Sequence, residues 1–190
     1  MNNENGPENV AVDMARFMNY GSHAEQLAIP LLNNFNVIKS ENPQVVFVSS
    51  AEAFVYQVVS DGPLRSEETF DDRVNLVVRN TKEYMKQQNM DDVDKSFFFY
   101  KDYKNDTFGF KVYVQDLILT MDNQKKVVRQ LNAYFVEPRF NDFYQVTVSA
   151  GPFSMPTQML KLGTVDLEND QITKILDTMM DNVLNNLKYR

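Results

Sequence analysis

The sequence predicts an α+β fold: a curled antiparallel sheet of about six or seven strands, a long middle helix and a C-terminal helix packed on it, and a short N-terminal helix. Three observations predict it. Residues 96–114, SFFFYKDYKNDTFGFKVYV, set four aromatics in a row, turn through a polar cluster and return with apolar residues at every second position, the pattern of two strands meeting at a corner. From Thr69 to about Gln88 the apolar positions change to helical spacing, with Phe70, Val74, Val77, Thr81, Tyr84 and Met85 on one stripe. Near the end Ile172, Leu176, Met179, Val183 and Leu187 form a second stripe of that kind.

Residues 1–8 are Asn, Glu, Gly and Pro in the main and read as a frayed tail, leaving 9–190 as one domain. Over 9–20, Val10, Met14 and Phe17 recur at helical spacing and Gly21 supplies a stop, which predicts an appended helix. LAIPLL carries a proline that suits a sheet edge or a strand end. FNVIKSE and VVFVSS follow, then AFVYQVVS, which closes on the turn cluster Asp61-Gly62-Pro63. The middle helix opens on Thr69 with Asp72 three residues on, an approximate capping box. Acidic residues at its start and Lys82 and Lys86 near its end complement the helix dipole.

In the quoted stretch Phe97 and Phe99 point one way, Phe98 and Tyr100 the other, so this strand is apolar on both sides. Phe108, Phe110, Val112 and Val114 then share a face, with Lys111, Tyr113 and Gln115 opposite. VVRQLNAYFVE follows the turn MDNQKK, and FYQVTVSA returns after EPRFND. GPFSMPTQMLKLGT reads as a loop stiffened by two prolines, and Asp166 or Asp170 caps the last helix.

This order of elements, early strands around LAIPLL and FNVI, a long middle helix, a strand meander and a closing helix, resembles the PsbP-like fold. That fold is shared by the photosystem extrinsic subunit PsbP and a Ran-binding nuclear import factor. The resemblance covers roughly residues 27–188 and lies in element order alone; no binding residue of that family maps onto a position here. It implies a binding or assembly factor, since members of that fold are mostly of that kind.

Composition narrows the function classes. A net charge of −7 and a pI near 4.7 argue against nucleic acid, which needs a cationic face. The densest basic group, Lys125-Lys126 with Arg129, sits at the expected turn and reads as a solvated hairpin end. There is no cysteine, which removes disulfides and thiol chemistry and fits a reducing compartment. The N-terminus has no basic start followed by an apolar stretch, and no window is long and apolar enough to span a membrane, so the expected location is cytoplasmic.

Chemistry-bearing patterns are weak. His23, the one histidine, stands in a polar stretch after Gly21 and reads as a surface or capping group. Asp91, Asp92 and Asp94 lack the spacing, glycine and terminal glutamate of a calcium loop, so no metal is expected. No phosphate-loop, dinucleotide, zinc-protease or nucleophile-elbow string occurs, Ser149 and Ser154 have no nearby histidine, and no cofactor is implied. The sharpest feature is the stretch 151–163, whose Phe153, Met155, Met159 and Leu160 offer apolar side chains for a partner. The sequence therefore favours a non-catalytic adaptor, chaperone or accessory subunit that engages a protein partner, one with a basic patch, through a sheet face or this loop. The alternative is a small-ligand binder or hydrolase with a pocket between the sheet and the C-terminal helix. A structural subunit of a larger assembly is a third reading.

Overall fold

The structure, a computed structural model, describes residues 12–19, 27–33, 35–38, 45–51, 53–90, 92–155 and 160–189, with backbone alone at 12–19 and 45–50. The chain runs β1 (Val12–Asn19), β2 (Leu27–Leu32), β3 (Asn36–Ile38), β4 (Val45–Ala51), β5 (Phe54–Pro63), α1 (Phe70–Gln87), α2 (Val93–Ser96), β6 (Phe97–Lys104), β7 (Gly109–Met121), β8 (Gln124–Glu137), β9 (Asp142–Ser154), α3 (Gln171–Asn186) and β10 (Lys188–Tyr189). It is an α+β fold. Five long strands form the body of an antiparallel sheet in the order β5-β9-β8-β7-β6, and β4 and then β3 extend it beyond β5. A smaller sheet sets β2 between β1 and β10.

Hairpin chemistry fixes the register. β7 and β8 pair from Lys111↔Tyr134 to Met121↔Gln124, leaving Asp122 and Asn123 as a two-residue turn. Both turn residues have positive φ, 52° and 64°, the geometry that matches strand twist and that Asp and Asn tolerate. At the start of α1 the Thr69 amide donates to Asp72 Oδ2 at 3.0 Å and the Asp72 amide donates to Thr69 Oγ1 at 3.1 Å, so both arms of the capping box form. Asp170 is the cap of α3, accepting from the Thr173 amide at 3.0 Å. Asp166 instead accepts from the Glu168 and Asn169 amides just upstream.

Each face of the sheet has its own core. On one side Tyr56, Val112, Leu131, Phe135, Val146 and Val148 pack with Leu176, Met179 and Val183 of α3 and with Leu27, Ile29 and Leu32 of β2. On the other, Val74 of α1 meets Tyr134 and Phe143, and Met85 meets Val93 and Phe97. The four consecutive aromatics divide between these cores. Phe97 stacks on Tyr113 at 5.6 Å and Phe99 meets the same ring edge-on at 5.5 Å. Phe98 and Tyr100 pack against the α3-side core.

The expected helix over 9–20 is overturned where it is described: residues 12–19 are strand β1, paired antiparallel with β2. Val10, Val12 and Met14 also alternate at period two, so a segment this short fits either period. The edge of β2 decides it by offering a ladder of main-chain partners. Pro30 of β2 lies beside the register shift between Asp13 and Phe17, and beyond β10, which pairs only with Leu27 and Ala28. Its missing N–H thus falls where the ladder is interrupted. The buried Tyr56 hydroxyl donates to the Pro30 carbonyl at 3.0 Å and ties the small sheet to the large one. Among the described residues, no helix is long and apolar enough to cross a membrane.

Candidate functional site

The most deeply buried charges of the described residues lie on the α3 side, and they are committed. Arg129, which alternation places on the same face as Val127 and Leu131, is completely buried, not part of a solvated hairpin end. Its Nε and Nη2 donate to the two carboxylate oxygens of Asp116 at 2.8 Å each. Nη1 donates to Thr173 Oγ1 at 2.7 Å, to the Thr164 carbonyl at 3.0 Å and to Asp170 at 3.3 Å, and Nη2 also reaches the Lys161 carbonyl at 3.1 Å. Burial pushes the Asp116 carboxyl above the usual carboxylate range, and the Arg129 bonds pull it back only in part. With its donor directions used, this guanidinium fastens 161–173 to the sheet.

Two further clusters serve joints. Glu137 accepts from the Arg139 amide and Nε and from the Phe140 amide, shaping the β8–β9 turn, while Arg139 lies over the Tyr189 ring at 3.5 Å. Burial opposes its charge, but these bonds outweigh that and hold Glu137 below the usual range. Lys101 of β6 donates to Asp177 at 3.1 Å and to Asp181 at 2.8 Å on α3. The Tyr100 hydroxyl also donates to Asp177, at 2.6 Å.

The other face differs. Register sets Gln57 opposite Thr147 and Thr147 opposite Asn132, while Val55, Ser149, Gln130 and Gln115 form the next row. Alternation turns all of these away from α3, because Tyr56, Val148, Leu131 and Val114 between them are in its core. Asn132 and Thr147 are buried and make the floor. Asn132 Nδ2 donates to Gln115 Oε1 at 3.1 Å, and its Oδ1 accepts from Thr147 at 2.8 Å and from Gln145 at 3.1 Å. Gln57 and Gln130 are half-buried, and among the described residues no hydrogen bond engages their side chains or the Ser149 hydroxyl. α1 packs on Tyr113, Tyr134 and Phe143 and walls one side of this area. Neutral amides both donate and accept, so the surface is suited to hold uncharged polar groups, and it supplies no acid or base.

The stretch expected to carry the partner contact is only partly a loop. β9 runs on to Ser154, and a register shift opposite Val127–Arg129 puts Phe153 across from Val127. The shift reverses the alternation and turns Phe153 to the α3 side, where it and Met155 are half-buried against the core. Leu160 is inside that core at 6% exposure. Met159 lies outside the described residues, as do His23 and Asp91. Asp94 pairs with Lys82 at 2.9 Å, and among the described residues no three acidic or histidine side chains gather around a possible cation site. Ser149 and Ser154 both lie on β9.

A cleft of about 630 Å³ opens at the end of α3, lined by Lys104, Asn105, Asp106, Thr107, Asn185, Leu187 and Lys188. Asn105 is committed there, donating to the Leu184 and Leu187 carbonyls at the helix end. Sequence reasoning missed both the Arg129 node and the amide face. The amide face left a readable signal, polar residues at every second position in RQLN and YQVTVS. The node left none, because its parts are 13 to 44 positions apart. No protein-family model matches the chain, and no curated protein matches it as a relative.

Proposed function

We propose that the chain is a non-catalytic protein-binding module, an adaptor, chaperone or accessory subunit, that holds a protein partner on the amide-lined sheet face beside α1. The observation that carries this is the set of side chains with no hydrogen-bond partner among the described residues, half-buried Gln57 and Gln130 with buried Ser149 on the strand between them, on a face that α1 covers at Tyr113, Tyr134 and Phe143. The resemblance in element order to the PsbP-like fold supports the reading. The net charge of −7 favours a partner with a basic patch, acting on encounter rate more than on affinity.

Affinity capture from the native cell at low salt tests it, comparing wild type with Gln57→Lys/Gln130→Lys and with Met155→Asp. One stoichiometric protein, lost with the face variant at unchanged melting temperature, is expected. Loss with Met155→Asp alone, in a protein that still melts normally, moves the contact to the end of β9. Capture that neither substitution affects refutes both surfaces.

A further inference from the structure

Among the described residues β6 is the last strand of the sheet on its side, so its outer edge carries main-chain groups with no ladder partner among them. It is also the most aromatic strand, FFFYKDYK, and Phe99 stands 48% exposed on it. A flat edge of that composition is a template for pairing with another copy. Two features of β6 counter this. Between Phe99↔Tyr113 and Lys101↔Val112 the strand advances two residues while β7 advances one, so Tyr100 is an inserted bulge residue. The bulge sets Tyr100 and Lys101 side by side toward α3, where the lysine ammonium meets Asp177 and Asp181 and lies 5.0 Å and 5.5 Å from the ring centres of Tyr100 and Tyr103.

We propose that the Tyr100 bulge and the Lys101–Asp177–Asp181 cluster together form an edge guard, which keeps β6 from pairing with a second copy of this chain. The bulge breaks the regular spacing that an incoming strand would need. The in-turned lysine holds the bulge in place through α3 and sets a charge where a partner strand would bring apolar residues. Removing the lysine frees the strand to straighten and exposes the Phe97–Phe99 edge.

The variant Lys101→Met/Asp181→Asn removes one charge of each sign, so net charge stays the same, and leaves Asp177 to accept from Tyr100. Sedimentation velocity over a concentration series is the readout, with circular dichroism to establish folding. Because the chain has no cysteine, Asp102→Cys adds a single spin-label position on β6 in both backgrounds. The guard predicts no β6-to-β6 contact in wild type, and in the variant an association stronger by roughly tenfold or more with labels of two copies brought close. Asp181→Asn alone, which keeps the Asp177 bond, is the milder second variant and shifts association in the same direction. A wild-type chain already joined through β6, or folded variants that associate no more than wild type, overturns the proposal.

Discussion

On the α3 side of the sheet the buried strand charge, Arg129 with Asp116, is saturated; on the α1 side the buried polar groups of the strands, Asn132, Thr147 and Ser149, are neutral and, among the described residues, in part unpaired. Arg129 is fully buried together with Asp116 and Asp170, and its hydrogens all point at oxygens of those two residues, of Thr173 or of the main chain. A charge taken out of water has to be answered this completely or the fold does not keep it. A carboxamide within reach of water carries a smaller penalty, so Gln57 and Gln130 can stand uncommitted. One face thus spends its polar groups on holding the preceding segment and α3 in place. The other has polar groups to spare for another molecule.

The sharpest way to break this contrast is Arg129→Ala. It strands two buried carboxylates and frees the Lys161 and Thr164 carbonyls, a change in the class that costs about 3–5 kcal/mol. Urea denaturation should show the loss as an early midpoint, with 160–170 exchanging its amides first. Replacing the pair as Arg129→Met/Asp116→Leu should recover part of it, because no charge of that pair then remains. A midpoint unmoved by Arg129→Ala would mean the node contributes nothing to the fold.

Smaller, and on the other side, is Thr69→Ala. The side-chain arm of the capping box that starts α1, the Asp72 amide on Thr69 Oγ1, depends on this residue, and loss of such a cap costs about 1 kcal/mol. The effect should appear in the melting temperature and in faster exchange of the first turn of α1, with the α3 side unaffected. Equal loosening of both faces would show that the two cores are one cooperative unit.

What could be read in the sequence follows the same division between local and distant causes. The capping box at Thr69 and the positive-φ turn at Asp122-Asn123 are each decided within a few residues, and the alternation of β7 is decided within one strand. Residues 12–19 are decided by β2, which offers the ladder, and the helical spacing of Val10, Met14 and Phe17 could not reveal that. Phe153 reads as loop in the sequence, whereas β9 continues through it, and one register shift at Gly151-Pro152 reverses the side to which the later residues of the strand point. A Cβ at Gly151 would come within 2.7 Å of the Val127 carbonyl, so only glycine fits the shift. Arg129 reads as solvated for a plainer reason: its partners come from three other stretches of chain, at Asp116, at Lys161 to Thr164 and at Asp170 to Thr173.

The smallest expected effect tests the amide face most directly. Gln130→Leu and Gln57→Leu remove amides that hold no partner among the described residues, so each should leave stability within about 0.5 kcal/mol of wild type. Asn132→Leu, on the same face, should behave differently. It removes the acceptor of Thr147 and Gln145 and the donor to Gln115, leaving buried groups unsatisfied at a cost of about 1–3 kcal/mol. Measured side by side by urea denaturation, the three variants separate floor from surface. If Gln130→Leu costs as much as Asn132→Leu, the amides form one structural network and the open face has nothing free to bind with. If it is neutral while partner capture falls, Gln130 is kept for the partner and not for the fold.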